Sequence, residues 1–378
     1  MRRESLILLL TTVALVLIGV LMICSATGAG TDAARLAPGG DLGYFLRRHA
    51  LYAGLGLAVM FVASRFDYRR LREPLVLRSI VLLSLGLLVA VFIPGVGVEV
   101  ARAQRWIRVL GFRFQPSEFA KFALILLLAA KLAENQAQVK SFKRGFLPNI
   151  AITIAFAGLI LLERDLGVPV VLISVGVLMM LMAGARWVHL IGSAAPLAVA
   201  VAGAVAAFAH RSRRIEAWLN PWQHRGDGSF QLWQSLAAFA RGGIWGRGPG
   251  ASEQKLQYLP AAHTDFIYAV WAEETGLVGS LLVVALFATL LTVSVRIALR
   301  APDLFGTLLA GGIAALIALE AVINMAVAVG LAPTKGLPLP FVSWGGSALI
   351  VSLGLVGVLL NIGIQARPEA PRKYAENS

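Results

Sequence analysis

Along most of this chain apolar positions follow one another with few polar breaks. Ten such stretches can be set out, near residues 6–25, 49–64, 79–97, 117–133, 147–162, 167–183, 187–208, 266–295, 305–329 and 341–365. A helix needs about 20 residues to cross hydrocarbon, and several stretches reach that length. Their apolarity is continuous rather than alternating with a period of two, which selects helices over the strands of a closed barrel. The pattern predicts an all-α polytopic integral membrane protein. It would have ten transmembrane helices in a single domain over 1–378, a large external loop (about 210–265) between helices 7 and 8, and a tail over about 366–378.

Composition supports this class: 58% of the residues are hydrophobic and 14% charged, where a soluble domain carries about 25% charged residues. The first stretch has the outline of a secretory leader, with Arg2 and Arg3 before it and small residues after it. Its uncharged run, 6–23, exceeds the usual leader core of about 7–15 residues and predicts a retained helix. Cys24 is the only cysteine, so an internal disulfide and a cysteine-cluster metal site are excluded. The bulky Ile23 before it argues against a lipoprotein cleavage site.

Charge gives the orientation once loop length is considered. With the N-terminus inside, half of the 34 Lys and Arg residues fall on cytoplasmic segments and half outside, a tie. Arg211, Arg213, Arg214, Arg225, Arg241, Arg247 and Lys255 of the outer half sit in the one long loop, and long loops weigh little in the positive-inside rule. Without them the balance favours cytoplasmic N- and C-termini.

This topology brings four polar clusters to the external side. They are 102–121; the turn Glu163-Arg164-Asp165-Leu166-Gly167; the long loop ending His263-Thr264-Asp265; and 333–347, which holds Lys335 and Ser343. A carboxylate at the mouth of an apolar span is costly, which makes Asp265 a functional candidate by default. Each cluster also has a purely structural reading. Glu118 and Lys121, three apart on a helix, can simply pair. Asp165 and Asp265 can cap helices, and Lys335 can be an ordinary surface charge. His263, Glu273 and Glu274 close to Asp265 weigh towards chemistry there. Pro338, Pro340, Gly345 and Gly346 suggest a re-entrant loop, tolerable only where it lines a protein cavity.

The long loop interleaves Trp218, Trp222, Trp233 and Trp245 with its basic residues, which suits an anionic, lipid-linked ligand at the membrane surface. Within it, 230–241 places Phe230, Trp233, Leu236, Ala237 and Ala240 on one face of an interfacial helix. The glycine-rich 242–250 that follows reads as a flexible turn able to move on substrate binding.

The segments 115–121, 258–279 and 333–347, and above all the run 254–267, make the chain closely resemble the SEDS family of shape, elongation, division and sporulation proteins. The resemblance covers nearly the whole sequence. Pro333-Thr334-Lys335-Gly336 is similar to the division and sporulation branches, whereas the elongation branch usually has Val-Thr-Gly after the proline. What the resemblance implies is an inverting peptidoglycan glycosyltransferase at the outer face of the bacterial cytoplasmic membrane. It would polymerise lipid II onto a lipid-linked glycan strand in septal wall synthesis and cell division, with elongation as the alternative role. Inversion needs a general base on the acceptor hydroxyl and charge stabilisation for the departing pyrophosphate.

By resemblance Asp265 is the catalytic base. The candidates for substrate binding are Arg105, Glu118, Lys121, Asp165, Arg241, His263, Thr264, Lys335 and Ser343, with Arg105, Lys121, Arg241 and Lys335 directed at the pyrophosphate. A divalent cation, Mg or Mn, could share that role, although no ligand spacing identifies its ligands. The implied partners are a class B penicillin-binding protein, since no serine-nucleophile motif for cross-linking occurs here, together with other divisome proteins and membrane lipids. Nucleic acid is not among them. Two departures from the family pattern stand out. The turn usually written Gln-Pro-Asp-Leu-Gly begins Glu163-Arg164, and Glu320 replaces a glutamine one turn before Asn324. Glu320 is expected to be neutral or hydrogen-bonded within the bundle. With Asn324 it also favours a competing class, a lipid II flippase with its site at mid-membrane, and a noncatalytic divisome scaffold is a third. Against transport, no internal repeat is evident and the polar clusters gather at one face.

Overall fold

A computed structural model of the chain describes residues 3–28, 41, 43–100, 103–109, 112–189, 191–192, 203, 216, 218–219, 229–259, 262–334 and 336–366. Long apolar helices dominate it: α1 (Arg3–Ala26), α2 (Tyr44–Arg65), α3 (Pro74–Ala90), α4 (Pro116–Glu134), α5 (Leu147–Leu162) and α6 (Gly167–Met182) in the first half. After the short α7 (Phe230–Gly242) come α8 (Ile267–Leu299), α9 (Leu304–Ala328) and α10 (Gly346–Gln365). Six helical segments have both the length and the apolarity to cross a membrane, and α3 and α6 are shorter apolar helices. The predicted span 187–208 lies largely outside the described residues, as do Lys335 and most of 210–228.

The helices start where the sequence offers start signals. Proline stands in the first turn of α3, α4 and α5, where its missing N–H costs nothing. Asp303 caps α9 by accepting from the Gly306 amide at 2.8 Å. At the centre of the bundle, α4 buries almost its whole length against α6, α9 and α10. Gly357 of α10 lets its backbone approach α2 so closely that a Cβ there would lie 2.4 Å from the Met60 carbonyl oxygen. Small residues at such crossings are the usual way for membrane helices to gain dispersion contacts without a hydrophobic drive between them.

Three features go beyond the sequence-based expectations, and the first corrects one of them. The first is β-structure in a fold expected to be all-α: β1 (Gly97–Val100), β2 (Ala103–Val109) and β3 (Phe112–Phe114) form an antiparallel sheet in the order β1-β2-β3. Ile107 pairs with Gly97 on one side and with Phe114 on the other. The segment Gln104-Arg105-Trp106-Ile107-Arg108 carries no clean period-2 alternation, so the strand has no strong signal in the sequence.

The second concerns the contact face of α7. Leu232, Gln234, Ser235, Ala238 and Gly242 are the residues buried along it, and Ser235 Oγ donates to the Ala328 carbonyl at 2.6 Å. The expected apolar face is only half-buried at Phe230, Trp233, Leu236 and Ala237, and Ala240 is exposed. At Gly242 a Cβ would lie 2.1 Å from the Ala272 carbonyl oxygen, so the two backbones approach closely there.

The third is the glycine-rich turn, which is pinned. Helix α8 breaks at Gly276 (φ 69°), a conformation that suits glycine. The broken turn leaves main-chain groups unbonded, and the 243–248 segment supplies their partners. Arg247 N donates to Glu273 O at 3.0 Å and Gly248 N to Glu274 O at 3.0 Å, while Leu277 N donates to Gly243 O at 2.9 Å. Irregular backbone inside a membrane protein needs internal partners of this kind. The side chains reinforce it. The Glu273 carboxylate accepts from Ser252 Oγ and from Gln254 N (3.2 Å), and Lys255 Nζ donates to Glu274 Oε1 at 2.8 Å and to Ser25 Oγ at 2.7 Å.

Candidate active site

Asp265 lies in the turn just before α8, whose N-cap position falls on Phe266. The main chain leading to it is held at three successive carbonyls. His263 O accepts from Trp344 N at 2.9 Å, Thr264 O from Ser343 Oγ at 2.6 Å, and Asp265 O from Asn324 Nδ2 at 2.9 Å. Asn324 also donates to Leu337 O at 2.7 Å, and Ser343 Oγ accepts from Leu339 N at 2.8 Å. The 333–345 loop therefore holds the segment that carries the acid.

Trp344 is in turn set against Phe45, with ring centroids 5.1 Å apart, and against His49 and Tyr52 of α2. The edge-to-face contacts with Phe45 and Tyr52 fix ring orientation as well as burying area. The loop's re-entrant character, expected from its prolines and glycines, agrees with the burial of Leu337, Leu339, Phe341 and Val342. Gly336 comes so close to the acid that a Cβ on it would sit 3.3 Å from Asp265 Oδ2. A side chain there would crowd the carboxylate, which would have to give by a few tenths of an ångström.

Beside this loop, Lys121 Nζ lies 2.7 Å from Glu118 Oε2 and also pairs with Glu320. All three side chains are almost fully buried, and Ser343 and Ser352 line the same small cavity. The expected Glu118–Lys121 pair is present, and Glu320 is bonded to Lys121 within the bundle. With both carboxylates held, Lys121 is committed to a buried ionic triad and is not a cation turned towards the surface.

The 163–167 turn meets the loop through Leu337, which packs where a side chain on Gly167 would have to go. Asp165 Oδ1 caps α6 by accepting from Gly167 N at 2.8 Å, and its Oδ2 pairs with Arg105 at 3.2 Å. Arg105 reaches it because it alternates onto the same face of β2 as the buried Ile107. Arg164 takes φ 63°, and its carbonyl accepts from Arg105 at 3.1 Å. Glu163 is buried, and both its carboxylate oxygens lack a hydrogen-bond partner among the described residues. Burial pushes its carboxyl up to about 8, with the Asp165 charge adding to the effect and Arg105 opposing it.

Of the residues singled out from sequence, His263, Thr264, Asp265 and Ser343 thus form one group. Glu118 with Lys121, and Arg105 with Asp165, are linked to it through the 333–345 loop. Arg241 belongs to another network, pairing with Glu253 at 3.1 Å, as does Arg247 at 2.7 Å. Asn324 and Gly336 were not among the site residues chosen from sequence; Asn324 stood out only as a polar group in an apolar helix, and Gly336 only as part of the 333–347 segment.

With this geometry in hand, the chain can be set beside known proteins. Residues 5–368 match the family model of the FtsW, RodA and SpoVE proteins, described as a cell cycle protein. The chain belongs to this family. A probable peptidoglycan glycosyltransferase FtsW from Geobacter sulfurreducens is 44% identical over 365 residues, covering 97% of this chain and 96% of that one. Stage V sporulation protein E of Bacillus subtilis is 40% identical over 363 residues, covering 96% and 98%. Among solved structures, the Thermus thermophilus rod shape determining protein RodA superposes with a TM-score of 0.68 at 26% identity, covering 96% of this chain and 97% of that one. A chain from a peptidoglycan synthase complex that coordinates polymerization and crosslinking gives 0.77 at 28% identity, covering 94% and 96%. The family fold accordingly extends over the site and the bundle alike, in a multi-span, mostly helical membrane protein.

Proposed function

We propose that this peptidoglycan glycosyltransferase of cell division uses Asp265 as the general base that activates the acceptor hydroxyl of a lipid-linked sugar. The activity follows from family membership and from relatives such as the FtsW of Geobacter sulfurreducens; the residue's role is our reading. The observation that carries it is the bracing of three successive carbonyls, at His263, Thr264 and Asp265, by residues of a different part of the chain. A base must be held within hydrogen-bond reach of the proton it removes, and a fixed main chain reduces the reorganisation needed to meet that geometry.

In this reading Asp265 removes the proton of the acceptor hydroxyl as that oxygen attacks the anomeric carbon of the lipid II donor. The bond to the pyrophosphate breaks, and inversion follows from attack on the opposite face. The departing charge calls for cations near the 333–345 loop, and Lys335 and Arg105 are the candidates. The buried triad of Glu118, Lys121 and Glu320 acts by supporting the loop. Among the described residues no three His, Cys, Asp or Glu side chains come together as a metal cage, so we route no step through a divalent cation.

Orientation follows from charge. The end of the bundle opposite Asp265 carries Arg70, Arg72, Arg78, Lys131, Arg296 and Arg300, which the positive-inside rule assigns to the cytoplasm. Asp265 then faces the exterior of the cytoplasmic membrane, in a ten-span topology whose seventh span is 187–208. A class B penicillin-binding protein is the inferred partner, by analogy with the solved peptidoglycan synthase complex.

The test is polymerisation of lipid II by purified protein, alone and with that partner, comparing wild type with Asp265→Asn. Wild-type polymer with a loss of about 10²-fold or more in a folded variant is expected. Full activity in the variant would overturn the assignment of the base, and lipid translocation without polymer would favour transport.

A further inference from the structure

At the end of the bundle opposite Asp265, a cavity of about 880 Å³ lies between the foot of α3 and the last turns of α4. Two kinds of side chain line it. Arg69, Arg72, Arg78 and Lys131 give it four cations against two carboxylates, Glu73 and Glu134, and its remaining wall is apolar, with Leu77, Val81 and Leu127 among it.

Three of the four cations are not consumed by the fold. Arg69 is bound to Asp303 at 3.3 Å and to Gln365 at 2.9 Å. Among the described residues, however, Arg72, Arg78 and Lys131 make no ion pair, and neither do Glu73 and Glu134. Like charges gathered around one hollow repel unless an anion lies between them, and Glu73 and Glu134 offset only part of the charge of Arg72, Arg78 and Lys131.

The cavity also opens sideways. Leu82 lines it and is itself 68% exposed, on a helix whose outer surface continues through Leu83 and Val89, both more than half exposed. In a membrane-spanning bundle that surface faces hydrocarbon. One rim is therefore cationic and lies where headgroups lie, while the other is continuous with the lipid-facing side of α3. A free anion would use only the first; a molecule with a charged head and an acyl chain would use both.

We infer that this cavity is a binding site for an anionic phospholipid. Its phosphate is held by Arg72, Arg78 and Lys131, and its acyl chain lies along Leu77, Val81 and Leu82. Basic pockets between helices at the cytoplasmic membrane face have the chemistry for such headgroups. The site is separate from the proposed glycosyl-transfer centre and stands or falls independently of it.

Native mass spectrometry of the full-length protein in detergent tests it, with phosphatidylglycerol, phosphatidylcholine of matched chains and inorganic phosphate as probes. Phosphatidylglycerol should bind about tenfold or more tightly than phosphatidylcholine, and the preference should weaken with added salt. The combined variant Arg72→Gln, Arg78→Gln, Lys131→Gln should abolish the preference. Val81→Trp, which narrows the apolar wall and keeps every cation, should weaken phosphatidylglycerol binding as well, so the proposal does not depend on one variant folding. Equal binding of the two lipids, or an unchanged preference in the folded triple variant, would overturn it. Displacement of the lipid by millimolar phosphate, with Val81→Trp having no effect, would also overturn it and assign the cavity to a free anion.

Discussion

The side-chain amide of Asn324 donates both to the carbonyl of Asp265, at 2.9 Å, and to that of Leu337, at 2.7 Å. One buried side chain on α9 thus joins the segment bearing the acid to the re-entrant loop beside it. Asn324→Leu would leave both carbonyls without this donor, at about 1–3 kcal/mol for each group left buried and unsatisfied. We expect a lower melting temperature and a loss of polymerisation rate larger than the stability loss explains. Thermal unfolding and lipid II turnover on the same preparation check this, and a variant with wild-type kcat would exclude a positioning role.

The triad predicts an asymmetry. Glu320→Gln keeps a hydrogen-bonding group opposite Lys121, which still has Glu118 at 2.7 Å, so its effect should be under about 1.5 kcal/mol. Lys121→Met leaves two buried carboxylates facing each other and should cost about 3–5 kcal/mol. Adding Glu320→Gln to Lys121→Met should recover part of that loss. Melting temperatures of the three proteins decide it.

Glu163 gives a pH dependence whose sign can be worked out. Its folded carboxyl is raised to about 8 from an ordinary value of 4.5. Between those values the folded state holds a proton that the unfolded state has lost, so this group's contribution to stability is full below about 4.5 and falls as pH rises to about 8. Glu163→Gln should flatten the profile over that window and raise stability at pH 8 by about 1–3 kcal/mol. Unfolding measured from pH 5 to pH 8 provides the comparison.

Arg164 occupies φ 63°, a region a proline ring cannot enter. The Glu-Arg turn therefore has a backbone that the Gln-Pro sequence usual in the family could not adopt. Arg164→Gly should stabilise by about 1 kcal/mol by removing the left-handed penalty, whereas Arg164→Pro should force the turn to rearrange and break the Arg105 contact to its carbonyl. Melting temperatures distinguish the two substitutions.

The break in α8 is the fifth test. Gly276 at φ 69° faces Gly246 so closely that a Cβ would lie 2.4 Å from the Gly246 amide nitrogen. Gly276→Ala should cost more than the about 1–3 kcal/mol of backbone strain alone. It should also release the 243–250 segment, read as faster hydrogen exchange at the Arg247 and Gly248 amides.

Much of this protein could be read from one dimension. Continuous apolar runs place helices because unpaired main-chain groups cannot be left in hydrocarbon, and that constraint is local enough to act through sequence alone. Asp265 was legible for the same reason: a carboxylate beside an apolar span is conspicuous. So was the Glu118–Lys121 pair, set by helical spacing. Tertiary structure decided everything that depends on residues far apart in the chain. Lys121 meets Glu320, Asn324 meets Asp265, and Ser25 meets Lys255 and Glu274 only because α1, α4, α8 and α9 pack together. The face that α7 turns to the bundle, through Leu232, Ser235 and Ala238, likewise depends on its packing against α8 and α9. Sequence records which groups are costly to bury; only the packed bundle determines which partners offset that cost.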